Sequence, residues 1–169
     1  EVAVYFKERF QLPESIEEIK EIWKTMAMDR YSHRVLLKPG VQNFLAYLKE
    51  REIKMGVASS NDRALIDATL SCHGILDYFS TIVTACEVCA GKPAPDVYLE
   101  AAKRLEVQPE ECLVFEDIAM GLRAGKSAGM KTCAVKDDYS LSQDVEKRKI
   151  ADYYIETYDQ ILDHTYEEL

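Results

Sequence analysis

No apolar run in this sequence approaches the roughly 20 residues needed to span a bilayer, so a membrane-embedded chain is not expected. The segment Glu1 to Phe10 is charged throughout and carries no hydrophobic core of a secretory leader. Positive charge is in short supply as well: Lys and Arg number 21 against 30 Asp and Glu, a formal net charge of -9. That balance argues against a nucleic-acid binder, whose phosphate contacts need clustered cations. It leaves room for a small anionic ligand, because a local cationic pocket can oppose the global field. Cysteines number five, at Cys72, Cys86, Cys89, Cys112 and Cys133. An odd number in a chain large enough to fold without staples reads most simply as reduced thiols in a cytoplasmic protein. Cys86-x-x-Cys89 has metal or redox spacing, but with no second pair and no histidine nearby a zinc site is not expected.

What is present is the composition of a globular chain. The hydrophobic fraction of 47% over 169 residues suits one domain, or one domain with a small appendage. Val2, Tyr5, Phe6 and Phe10 recur at helical spacing until Leu12-Pro13 interrupts them. Ser15-Ile16-Glu17-Glu18 then has the form of a capping box, followed by Ile16, Ile19, Trp23 and Met26 on one face. A helical hairpin ending near Ser32 or His33 is predicted. Lys38-Pro39-Gly40 marks a break, after which helix and strand alternate. Helices are predicted over 41–50, 64–72, 95–105, 119–128 and from Asp159 onward. Strands are predicted over 54–59, 81–85, 112–115, 132–135 and 153–155. Such alternation with short connections predicts a doubly wound parallel sheet.

In an open parallel sheet, ligands bind at the carboxyl ends of the strands. The first strand ends at Ser59, followed by Ser60, Asn61 and Asp62 at the start of a helix. Free amides and a hydroxyl there suit a phosphate, although on this segment alone helix capping is the stronger reading. The second strand leads to Gly91-Lys92-Pro93-Ala94-Pro95-Asp96. Proline holds Lys92 extended, which fixes an ammonium at the same edge, either for a phosphate or for solvent. The third strand ends in Glu116-Asp117. Adjacent carboxylates repel unless a cation or donors compensate, and oxygen ligands of this kind suit magnesium. Helix capping by Asp117 is the competing use. Gly121 and Gly125, four apart on the next helix, are best explained by close packing on the sheet.

The order strand-Ser, loop-Lys-Pro, strand-Glu-Asp resembles the haloacid-dehalogenase superfamily, in particular its β-phosphoglucomutase-like phosphatase branch. Val57 to Asn61 (VASSN) resembles the second motif, Gly91 to Asp96 (GKPAPD) the third and Val114 to Met130 (VFEDIAMGLRAGKSAGM) the fourth. The resemblance implies a Rossmann-like α/β core over residues 39–169 and part of a helical cap over residues 1–35. It implies that Ser59, Ser60, Asn61 and Lys92 hold a phosphoryl group while Glu116 and Asp117 help hold Mg2+. It further implies a small phosphorylated substrate and an aspartyl-phosphate mechanism, with a β-phosphoglucomutase-like sugar-phosphate mutase as an alternative. The rival from another class is a non-catalytic phosphate-binding or interaction module.

Members of that branch attack phosphorus with the first aspartate of an Asp-x-Asp motif on the first core strand. No Asp-x-Asp follows an apolar strand here, and Asp137-Asp138 lies in the wrong order and spacing to substitute. The resemblance therefore places the nucleophile upstream of Glu1, and the 169 residues alone are expected to be inactive. It also predicts a gap in the middle of the sheet, between the strands at 54–59 and 112–115. Such a gap leaves unpaired N–H and C=O groups, costly when buried. The expectation is a sheet rearranged, or completed by preceding residues or by another chain.

Overall fold

The computed structural model describes residues 2–169. The chain opens with α1 (Val2–Phe10) and α2 (Ile16–His33), which pack on each other through Phe6 and Trp23, ring centroids 5.2 Å apart. The capping box forms as the sequence predicts. Ser15 Oγ accepts from the Glu18 amide at 3.2 Å, and Glu18 Oε2 accepts from the Ser15 amide at 2.7 Å. Then follow α3 (Val41–Glu50), β1 (Gly56–Ser59), α4 (Arg63–Cys72), β2 (Thr81–Thr84), α5 (Asp96–Leu105) and β3 (Leu113–Glu116). The chain continues through α6 (Ala119–Ser127), β4 (Lys131–Val135), α7 (Asp144–Ile150), β5 (Tyr153–Ile155), α8 (Asp159–Leu162) and β6 (Glu167–Glu168).

The strands form two sheets. β1 pairs with β2 in parallel, while β3, β4 and β5 form a second parallel set that β6 extends antiparallel. Among the described residues β1 and β3 make no ladder with each other, so the sheet is broken where the gap was expected. Their burial fits a missing neighbour. Leu113, on β3, is 46% exposed, whereas Cys133, Ala134 and Val135 on β4 are at most 2% exposed.

Helices cover both faces. On one side α5 packs against β1 and β2, and α6 against β3 and β4. One buried cluster joins them beneath the break, running from Val83 on β2 through Val97, Ala101 and Ala102 of α5 to Val114 and Ala124. On the other side α3 and α8 meet over Phe115, where Phe44, Phe115 and Tyr158 lie with ring centroids 5.3 to 5.4 Å apart. The entry to this layer depends on Gly40, whose φ is +80°. A Cβ there would lie 2.8 Å from Asp159 Cγ, and the adjacent Pro39 carbonyl accepts from the Tyr158 amide at 2.9 Å.

Three local expectations are corrected. β1 begins at Gly56 rather than Lys54, because its ladder with β2 starts at Gly56 opposite Thr81, while the Lys54 ammonium donates to the Leu105 carbonyl at 2.6 Å. The final helix spans only Asp159–Leu162 before the chain turns into β6. The region from Asp138 to Ile150, for which no element was predicted, forms 3₁₀ turns and α7. Its anchor is a wholly buried cation: Lys147 donates to the Val135 carbonyl at 3.2 Å and to Ser140 Oγ at 3.1 Å, and pairs with Asp144 at 2.7 Å.

Candidate active site

Parallel strands bring their carboxyl ends to one edge, and there Ser59, Ser60, Asn61, Lys92, Glu116 and Asp117 line a single cavity of about 480 Å³. All six residues singled out in the sequence are thus brought together. The capping question at the end of β1 also resolves. Asp62 is the N-cap of α4, its Oδ1 accepting from the Ala64 amide at 2.8 Å. Capping therefore does not consume Ser59 or Ser60. Ser59 Oγ accepts from the Asn61 amide at 3.1 Å, which tightens the turn, and Ser60 is exposed. Asn61 faces two ways: its Oδ1 accepts from the Asp62 amide at 3.0 Å, and its Nδ2 donates to the Tyr31 hydroxyl of α2 at 2.9 Å.

Lys92 is not a solvated loop lysine. Its side chain is 8% exposed, and its ammonium reaches across the break, donating to the Ala58 carbonyl at 3.2 Å and pairing with Glu116. Glu116 is held from three directions. Lys92 and the Tyr98 hydroxyl both donate to Oε1, the latter at 2.5 Å, and α6 passes so close that a Cβ on Gly121 would lie 2.5 Å from the same oxygen. Burial first, and then the Glu116 charge, push the Tyr98 phenol well above its ordinary range, so Tyr98 stays protonated and donates.

Asp117 behaves differently. Its side chain is 42% exposed and it does not cap α6. The first amide of that helix, at Ala119, donates instead to Gln143 Oε1 at 3.0 Å. The Asp117 carbonyl accepts from Ser140 Oγ at 2.6 Å, which ties the site to the turn anchored by Lys147. Partial burial, and then neighbouring Glu116, hold the Asp117 carboxyl above the usual carboxylate range, and Lys38 opposes them.

Lys38 and Tyr98 were not found from the sequence. Lys38 lines the cavity, pairs with Asp137 and lies 3.9 Å from Asp117 Oδ2. In the sequence it was only the residue before Pro39-Gly40, and nothing local marked its partners. The Cys86-x-x-Cys89 spacing gathers no metal set, since no group of three or more His, Cys, Asp or Glu side chains suited to a metal occurs among the described residues.

Glu116 and Asp117 nevertheless fit a magnesium ion. Mg2+ binds through one or two carboxylates and takes its remaining ligands from water and phosphate oxygens, so two carboxylates lining a cavity with a serine hydroxyl and an ammonium match its chemistry. Burial is the first cause of the raised Asp117 carboxyl and the adjacent Glu116 charge the second, and a cation bound there would offset both.

A broken doubly wound sheet with serine, lysine and paired carboxylates at its carboxyl edge defines an α/β protein with a polar cavity at its strand ends. Residues 1–135 match the family of haloacid dehalogenase-like hydrolases, and the chain belongs to that family. It is 38% identical over 136 residues to the bifunctional riboflavin kinase/FMN phosphatase of Arabidopsis thaliana, covering 80% of this chain and 36% of that protein. It is 38% identical over 121 residues to the β-phosphoglucomutase of Bacillus subtilis, covering 71% of this chain and 53% of the relative. The crystal structure of a putative β-phosphoglucomutase from Thermotoga maritima superposes with a TM-score of 0.82 at 27% identity, over 96% of this chain and 74% of that one. The chain thus spans well under two thirds of the length of these curated relatives.

Proposed function

We propose that this chain forms the binding and electrostatic part of a magnesium-dependent phosphohydrolase acting on a small phosphorylated metabolite through an aspartyl-phosphate. The observation that carries the reading is the convergence of Ser59, Ser60, Asn61, Lys92, Glu116 and Asp117 on one cavity at the break between β1 and β3. Relatives named as an FMN phosphatase and a β-phosphoglucomutase support phosphoryl chemistry.

In this reading the Ser59 hydroxyl and the Ser60 amide donate to the non-bridging oxygens of the transferring group. Lys92 offsets the charge that develops on them. Glu116 and Asp117 would hold the magnesium ion, which when bound supplies further charge neutralisation at the phosphoryl oxygens. The nucleophilic carboxylate arrives on an extended segment seated between β1 and β3, where both edges offer unpaired backbone groups and the strand ends point into the cavity. That segment comes either from the same polypeptide or from another chain. The 169 residues by themselves bind phosphate without turning it over, because they hold no Asp-x-Asp at a strand end.

The test is phosphate release from a panel of sugar and nucleotide monophosphates, with and without a chelator. The 169-residue chain is compared with a polypeptide extended upstream of Glu1. Metal-dependent turnover by the extended protein alone is expected. Turnover that ignores the chelator would remove the metal from the mechanism, and turnover by the shorter chain would remove the supplied nucleophile.

A further inference from the structure

Two ammonium groups line the cavity, and each is spent on a different carboxylate. Lys92 pairs with Glu116, held on the α5 and α6 side by Tyr98 and Gly121. Lys38 enters from the segment ahead of α3, donates to the Lys136 carbonyl at 3.2 Å, pairs with Asp137 and lies 3.9 Å from Asp117 Oδ2. Asp137 is fixed in turn, its Oδ1 accepting from the Tyr139 amide at 2.9 Å. Three carboxylates thus share two ammoniums.

We infer that Lys38 is a positioning and specificity-determining residue that sets the balance between cation and anion binding at this site. The inference rests on the phosphate-and-magnesium reading above and adds a residue to it. Lys38 bridges the turn after β4 to the end of β3, so Asp137 is occupied by the lysine while Asp117 is left facing the cavity. The same ammonium repels a divalent ion arriving at Asp117 and attracts a phosphate arriving beside Lys92. Its side chain is 32% exposed, so its field reaches the cavity but is partly screened by water.

Substitution separates this role from packing. In Lys38→Met the stem remains and the charge goes, leaving both Asp117 and Asp137 without their cation. Binding of Mn2+, read from the free-ion electron paramagnetic resonance signal, is expected to tighten about three- to tenfold. Binding of inorganic phosphate, read by calorimetry, is expected to weaken by about the same factor, because one partly screened positive charge lining the cavity is lost. Lys38→Arg is expected to restore both towards the parent values, and raising the ionic strength to shrink both differences. A purely structural lysine would weaken both ligands together on removal. Parallel losses, or no change in either, would overturn the inference while leaving the proposed function standing. A parent chain that binds neither Mn2+ nor phosphate would overturn both.

Discussion

Gly121 stands where any larger residue would have to displace the Glu116 carboxylate, since a Cβ would lie 2.5 Å from Oε1. Helix α6 can approach the end of β3 only without a side chain at that position, and the approach holds Glu116 between Tyr98 and Lys92. Gly121→Ala is therefore expected to cost about 1–3 kcal/mol, the usual range for overpacking a filled site. Because Glu116 must move, the Lys92 pair should loosen with it. Urea denaturation together with phosphate titration checks this, and unchanged values in both would show that the carboxylate has room. The sequence placed this glycine at a helix–sheet contact but could not name what it touches. Ser59, Lys92, Glu116 and Asp117 were legible because each sits at a strand end or beside a proline, features readable within a few residues. Lys38 was not, because its partner Asp137 lies 99 positions away and only the folded chain brings them together.

At the scale of elements, legibility follows how local the stabilising interactions are. The N-terminus of α2 was read correctly because its capping box lies within Ser15 to Glu18. Ser15→Ala is expected to remove about 1 kcal/mol of stability, as N-cap serines generally do. A denaturation midpoint that does not move would mean that α2 is held by its packing on α1 and α4 alone. β5 was read at its observed bounds, Tyr153–Ile155, because an apolar triplet between polar residues leaves few alternatives. By contrast, Asp144–Ile150 offers little apolar periodicity, and the residue that buries it is Lys147. A fully buried lysine with three oxygen partners is a tertiary arrangement that reverses the residue's usual preference. Strand bounds shifted by a residue or two for a related reason, since ladder partners rather than propensity end a strand. β3 thereby takes in Glu116, opposite Ala134 on β4, which aims the carboxylate at the cavity.

For the whole molecule, the doubly wound architecture was legible in the alternation of elements, and the break was legible in what the motif order lacked. What the sequence could not supply is how the two halves stay together. The structure answers with the cluster shared by α5 and α6 below the break, and with Lys92 tying Ala58 to Glu116 above it. Neither replaces a strand, because both leave backbone groups on the open edges of β1 and β3 without ladder partners. In a parallel strand alternate residues direct their amides to opposite edges, so each of these strands should carry two populations. Amides facing β2 or β4 are laddered, whereas those facing the break rely on water or transient contacts. β4 is the internal standard, being paired on both sides. Hydrogen exchange followed by NMR on the 169-residue chain is therefore expected to alternate between slow and fast along β1 and β3 and to be uniformly slow along β4. Extending the polypeptide upstream should slow the fast set without altering β4, if the arriving segment seats between the two edges. Uniform protection of β1 and β3 in the shorter chain would mean that the break closes in solution, and with it the seat proposed for the nucleophile.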